Sequence, residues 1–295
     1  TSSTSQSRMR STSAAPNPRF GISSVKVRLY RGRCVNNPLL PATLQRFRDK
    51  REEIEAMIET ASTELMAPSA KIGRASRVES AQERYIEFAK RTLSRDLSLE
   101  GMRIVLDAAH GAASGLADEV LAEMGADVVA TASRPDGTNI NAGVGAAHPT
   151  ALAHAVRQHA AHGGLALDGD ADRAILIDEK GGILDGDDLL LSWARALRSD
   201  GLLAKDSVVA TVMSNFGLET TLGREGMNLI RCQVGDRAVW ETMVETGTAL
   251  GGEQSGHIIC PHHGVTGDGL MTGIHILSLA AASRRPLSEL SGPEK

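Results

Sequence analysis

A chain of 295 residues, 41% hydrophobic and 23% charged, carries enough apolar material for about two globular domains. Its net charge of -4 gives no basis for a nucleic-acid or an anionic-membrane partner. Cys34, Cys232 and Cys260 lie far apart with no C-x-x-C pair, which excludes a disulfide framework and points to a reducing, cytoplasmic compartment. No apolar run is long enough to span a bilayer. The longest, "GIHILSLAAA", reads as a buried helix.

The first 48 residues contain no acidic residue. An Arg- and Ser-rich segment of this kind fits an organellar transit peptide, a disordered tail, or sequence that is not native to the protein. From Asp49 the pattern becomes regular. "DKREEIEAMIETAS" and "ESAQERYIEFAKRTL" have helical charge spacing and apolar period, so 49–95 reads as helices. Strand "MRIVLD", helix "LADEVLAEMG", strand "ADVVAT" and helix "TALAHAVRQHAAH" follow. Strands "GGLALD", "AILID" and "GGILD" and the helix "GDDLLLSWARALRS" close a block over 96–199. A second block, 200–295, runs strand "DSVVATV", helix "GLETTLGREG", strand "NLIRCQ", helix "DRAVWETMVETG", strand "TALGG" and "GHIIC". It ends in the helix "TGDGLMTGIHILSLAAAS". Strands alternating with helices of this length predict two consecutive three-layer α/β domains with mixed, mainly parallel sheets. The Gly- and Asp-rich loops fall at strand ends, where open α/β sheets bind ligands.

One such loop is "LDGDADRAILIDE". Asp168, Asp170 and Asp172 repel one another unless a cation sits among them. Counted from Asp168, Ile175 and Glu179 also match positions eight and twelve of an EF-hand. Arg173 stands where that loop requires glycine, and the flanks read as strands rather than helices. A solvated acidic turn without metal is the plain alternative. Three carboxylates would fill half of an octahedral Mg²⁺ shell, and the adjacent Arg173 can pair bidentately with a phosphate. Metal plus arginine points to phosphoryl transfer. A second loop, "GGEQSGH", offers Glu253, Ser255 and His257 between flanking glycines, which suits a polyhydroxylated ligand or an ordinary polar hairpin turn. A third, "VGDRAV", carries Asp236 and Arg237. Its plain reading is a helix start with Asp236 as the cap.

Together the three loops resemble those of the α-D-phosphohexomutase family, in its phosphoglucosamine mutase branch. "DGDADR" is similar to that family's metal loop and "GGEQSGH" to its sugar loop. "VGDRAV" is similar to its "VGDRYV" loop, with Ala238 for the tyrosine. "TVMSNFGLE", "PDGTNIN", "RYIEFAK" and "TGDG" are also similar to segments of the branch. The resemblance covers about residues 49–295. It implies four α/β domains around one cleft, of which 49–95 is the end of the first with linker helices, 96–199 the second and 200–295 the third. It implies Mg²⁺ on Asp168, Asp170 and Asp172, Arg173 on phosphate oxygens and His257 as proton acceptor. Glu253, Ser255, Asp236 and Arg237 would bind the substrate, a phosphorylated amino sugar or hexose. The implied reaction interconverts glucosamine 6-phosphate and glucosamine 1-phosphate. The alternatives are a phosphomannomutase or phosphoglucomutase, or a non-catalytic fragment that binds metal and sugar phosphate. The family's phosphoserine loop has its nearest counterpart in "SAAPNP", Ser13 to Pro18, with Ala15 at the serine position. The family's fourth-domain phosphate loop has no counterpart up to Lys295. The expectation is therefore metal and ligand binding without turnover by this stretch alone.

Overall fold

A computed structural model describes residues 78, 80–93 and 97–290 of the protein. The acid-free segment 1–48, with "SAAPNP", and the helix expected over 49–62 lie outside the described residues. The first described helix, α1 (Ala81–Thr92), buries Ile86 and Ala89 three residues apart on one face.

Five strands make the first sheet: β1 (Arg103–Asp107), β2 (Asp127–Thr131), β3 (Gly163–Leu167), β4 (Ala174–Asp178) and β5 (Ile183–Leu184). Their order is β2-β1-β3-β4-β5. β1 pairs in parallel with β2 and β3, and the pairings from β3 to β4 and β4 to β5 are antiparallel. Helices α2 (Leu116–Glu123) and α3 (Thr150–Gln158) connect the parallel strands. Side chains alternate across the pleat. Ile104, Leu106, Leu165, Leu167 and Leu176 enter one core, and Val105, Ala166, Ile175 and Ile177 enter another. Burial on both faces is why β3 and β4 read as unbroken apolar runs.

Helix α4 (Gly186–Ser199) leads to the second sheet. Its elements are β6 (Ser207–Thr211), α5 (Phe216–Arg224), β7 (Asn228–Cys232), α6 (Asp236–Thr246), β8 (Gly251–Gly252) and β9 (Ile258–Ile259). The strand order is β7-β6-β8-β9, with β6 parallel to β7 and β8, and β9 antiparallel to β8. "TALGG" contributes only Gly251 and Gly252 as strand, paired with Val209 and Ala210 of β6 and with Ile259 and Ile258 of β9. Helices α7 (Gly269–Ser283) and α8 (Leu287–Leu290) follow. α7 starts three residues after the expected "TGDG" opening because the Asp268 side chain caps it, accepting from Met271 N–H at 2.8 Å. No described helix is long and apolar enough to cross a membrane.

The sheets do not keep their helices to themselves. α4 follows the first sheet in the chain, yet it packs on β8 and α5 as well as on β5. α7 follows the second sheet, yet it packs on β3 and β4 of the first and on α4. One hydrophobic core therefore runs through both, joining Leu165 and Leu176 to Val208, Ala210, Leu250, Ile274 and Leu277.

Candidate active site

The acidic loop is the hairpin between β3 and β4, at the carboxyl end of a parallel strand. Asp168 Oδ1 accepts the backbone N–H of Arg173 at 3.1 Å and so closes the turn. Carboxylate oxygens of Asp168, Asp170 and Asp172 all lie within 4.8 Å of one another. Burial, reinforced by the Asp172 and Asp170 carboxylates, pushes Asp168 up to about 6. Arg173 offsets part of this charge, with Nε 3.6 Å from Asp168 and 3.8 Å from Asp172. Three hard oxygen donors that close, with Arg173 as their partial counter-charge among the described residues, fit a hard divalent cation. Strands on both sides of the loop remove the EF-hand reading. Its twelfth position, Glu179, accepts instead from the backbone and hydroxyl of Ser288 at the start of α8.

"GGEQSGH" is the hairpin turn between β8 and β9, closed by Glu253 N–H donating to His257 O at 2.9 Å. The Glu253 carboxylate holds two things. One oxygen accepts Gly235 N–H at 2.8 Å, and the other accepts the Ser255 hydroxyl at 3.2 Å. The "GGEQSGH" hairpin and the "VGDR" loop are thereby tied together at the carboxyl ends of β7 and β8. Asp236 is not the cap of α6. The N-cap is Gly235, at φ 122, and Asp236 is the first helical residue, its Oδ1 bonded to Arg237 N at 2.8 Å. Arg237 lies along α6 on Glu241, Nε to Oε1 2.8 Å.

The acidic loop and the "GGEQSGH" hairpin meet back to back. Arg173 and His257 form an isolated antiparallel bridge, and Ala174 N–H donates to Gly256 O at 3.1 Å. Gly256 permits the approach: its φ is +94, and a Cβ there would lie 2.1 Å from Ala174 O. His257 is only 3% exposed, and its Nδ1 sits 3.1 Å from Asp172 Oδ2. Asp168, Asp170, Asp172, Arg173, Glu253, Ser255 and His257 thus form one cluster, with Asp236 and Arg237 at its edge.

Sequence reading missed the supports of this cluster. Asp185 caps α4 through Asp187 and Asp188 N–H, and Asp188 reciprocates to Asp185 N–H, a capping box. Asp185 also receives Gln254 Nε2 at 3.2 Å, while Gly186 N–H donates to Gln254 O at 2.9 Å. Asp187 is fully buried, accepts Asn215 N–H at 2.8 Å, and is pushed up by that burial. The run "DGDD" before an apolar helix is the signal that marks this cap. Two segments singled out for their resemblance, "RYIEFAK" and "TGDG", meet: Tyr85 donates its hydroxyl to Asp268, 2.8 and 2.9 Å from the two carboxylate oxygens. Nothing local in either segment signals that pairing.

Two mainly parallel α/β sheets, each carrying a polar hairpin at its strands' carboxyl ends, with the two hairpins in contact, define an α/β protein with one candidate ligand site. Sequence models of phosphoglucomutase/phosphomannomutase α/β/α domain II match residues 83–182, and those of domain III match 185–294. The chain is 50% identical to the phosphoglucosamine mutase of Bradyrhizobium diazoefficiens over 82% of its own length and 54% of that protein's. It is likewise 50% identical to the phosphoglucosamine mutase of Azorhizobium caulinodans, over 81% and 53%. A crystal structure of a phosphoglucomutase/phosphomannomutase family protein from Burkholderia thailandensis superposes with TM-score 0.64 and 27% identity, covering 72% of this chain and 46% of that one. The chain belongs to the α-D-phosphohexomutase family, in its phosphoglucosamine mutase branch. It spans about half the length of the curated relatives it matches.

Proposed function

We propose that this chain forms the metal- and sugar-binding half of a phosphoglucosamine mutase, which interconverts glucosamine 6-phosphate and glucosamine 1-phosphate. The observation that carries this reading is the back-to-back union of the two hairpins through Arg173 and His257. It sets a divalent-cation donor set beside a carboxylate–hydroxyl pair suited to a sugar. Asp168, Asp170 and Asp172 would hold Mg²⁺, which when bound neutralises phosphoryl charge. Arg173, about half exposed, presents a guanidinium fork to phosphate oxygens beside the aspartates. Glu253 keeps lone pairs for a sugar hydroxyl or ammonium after its two internal bonds, and the exposed Ser255 can donate or accept beside it. Asp236 and Arg237, at the start of α6, would contact the substrate from the side of the loop that Glu253 holds. Cys232 and Cys260, buried free thiols, fit a reducing cytoplasm.

Calorimetry on the purified chain tests the reading. Mg²⁺ should bind, and Asp170→Asn should weaken it at least about tenfold, since a neutral amide is a poorer ligand for a hard cation. Glucosamine 6-phosphate should bind more tightly than mannose or glucose 6-phosphate. Glu253→Gln should weaken the sugar phosphate more than inorganic phosphate. Equal Mg²⁺ affinity in wild type and Asp170→Asn, or equal losses for both anions, would refute it.

A further inference from the structure

His257 is the one member of the cluster whose side chain faces away from solvent. It is 3% exposed, its Nδ1 points to Asp172 Oδ2 at 3.1 Å, and its Nε2 is buried without a hydrogen-bond partner. Its backbone is fixed at both ends, by the bridge to Arg173 and by its carbonyl accepting from Glu253 N–H. Gly267 walls the ring: a Cβ there would lie 2.4 to 2.7 Å from the ring atoms His257 Cε1, Nε2 and Nδ1. A ring held this way presents one group to its surroundings, an Nδ1–H aimed at a carboxylate of the acidic triad.

We propose that His257 is a positioning residue for the metal loop, with the sugar hairpin supplying a hydrogen bond that fixes the Asp172 carboxylate for a divalent cation. The inference rests on the reading of Asp168, Asp170 and Asp172 as a cation site. Asp172 is about one-third exposed, and Ala171 just before it sits at φ 63. Without a partner, the Asp172 carboxylate is free to rotate toward Arg173, whose Nε is already 3.8 Å away. Nδ1–H donation holds one oxygen and leaves the other, with Asp168 and Asp170, to face the cation. Partners of this kind behind a ligand set its orientation, and losing one typically lowers metal affinity about 10–100-fold. The role is carried by Nδ1 and stands beside the proton-acceptor role that the family resemblance implies for His257.

The experiment measures Mn²⁺ affinity by electron paramagnetic resonance, and Mg²⁺ by competition, on the full 295-residue chain. His257→Leu should weaken Mn²⁺ binding about tenfold or more. His257→Asn carries an amide N–H close to where Nδ1 stands and should restore affinity to within about threefold of wild type, a rescue of the lost donor. Gly267→Ala leaves every hydrogen-bonding group in place and displaces only the ring, so it should weaken binding in the same direction as His257→Leu. Circular dichroism on each variant confirms that it is folded. If Asp170→Asn loses the metal while folded His257→Leu and Gly267→Ala keep wild-type affinity, the positioning role is wrong and the cation site stands. If wild-type chain binds neither Mn²⁺ nor Mg²⁺, both are wrong. Equal losses in His257→Leu and His257→Asn also overturn the role, since hydrogen bonding would then not be what matters.

Discussion

At the scale of single residues, the molecule keeps some ionisable groups far from their ordinary behaviour away from the acidic loop. His263 and His275 meet with ring centroids 4.3 Å apart and planes tilted by 38°, and both stack on Trp193, at 5.9 and 4.8 Å. Burial, aided by neighbouring His262, pushes His263 down from 6.5 to about 4, and burial pushes His275 well below its usual range. The unfolded chain takes up these protons near 6.5, whereas the folded chain resists His263 protonation until about 4. Between those values the unfolded state binds more protons, so stability rises with pH and is lost as pH falls through the window. Asp168, pushed up to about 6, acts in the opposite sense below that value. His263→Phe retains a ring and removes a titrating site. Relative to pH 7.5, it should lose less stability than wild type at pH 4.5, by on the order of 2 kcal/mol. Thermal melts across that range test this, and parallel pH profiles for the two proteins would contradict it.

At the scale of elements, the α4 cap and the "GGEQSGH" hairpin share one carboxylate. Asp185 serves Asp187 and Asp188 N–H with one oxygen and Gln254 with the other. Asp185→Ala should cost about 0.5–2 kcal/mol, the usual range for a lost N-cap. It should also raise hydrogen exchange in the amides of Glu253 to Gly256, while those of β7 stay protected. Denaturant titration and exchange mass spectrometry read the two effects, and unchanged exchange in the hairpin would sever the link. The elements themselves were legible. α4 spans the stretch "GDDLLLSWARALRS" because Asp185 marks its start and Leu189, Leu190, Trp193 and Leu197 form its buried stripe. β3 and β4 were legible because both their faces are buried, which leaves an unbroken apolar run. The three loops of the site were legible because their acids and glycines sit where strands end. Contacts between distant segments were not: Asp172 with His257 and Tyr85 with Asp268 are 85 and 183 residues apart. The start of α6 misled because Asp236 is a common cap residue, whereas the positive φ of Gly235 takes that position.

At the scale of the whole molecule, the exchange of helices between sheets decides how the protein comes apart. α7 covers β3 and β4, α4 covers β8, and one core holds residues of both sheets. Neither sheet retains a complete apolar cover without the other's helix, so unfolding should be a single cooperative transition. Tryptophan emission from Trp193, in α4, and Trp240, in α6, and far-UV circular dichroism should give coincident denaturant curves. A fragment ending at residue 200 would lose α7 and expose Leu165 and Leu176. It should fail to give a folded spectrum at the conditions where the full chain does. Two separated transitions, or a folded fragment, would show that the shared core does not couple the sheets.

The same exchange has a consequence for the order in which the chain leaves the ribosome. β4 ends at Asp178 and α7 begins at Gly269, 91 residues later (269 − 178). At roughly 5–20 residues per second, the first sheet waits about 5–20 s for the helix that seals it. Through that interval one face of the nascent β3–β4 hairpin carries Leu165, Leu167 and Leu176 without their lasting neighbours. The acidic loop at its tip emerges long before His257, so its final shape is set late in synthesis, when the second hairpin arrives.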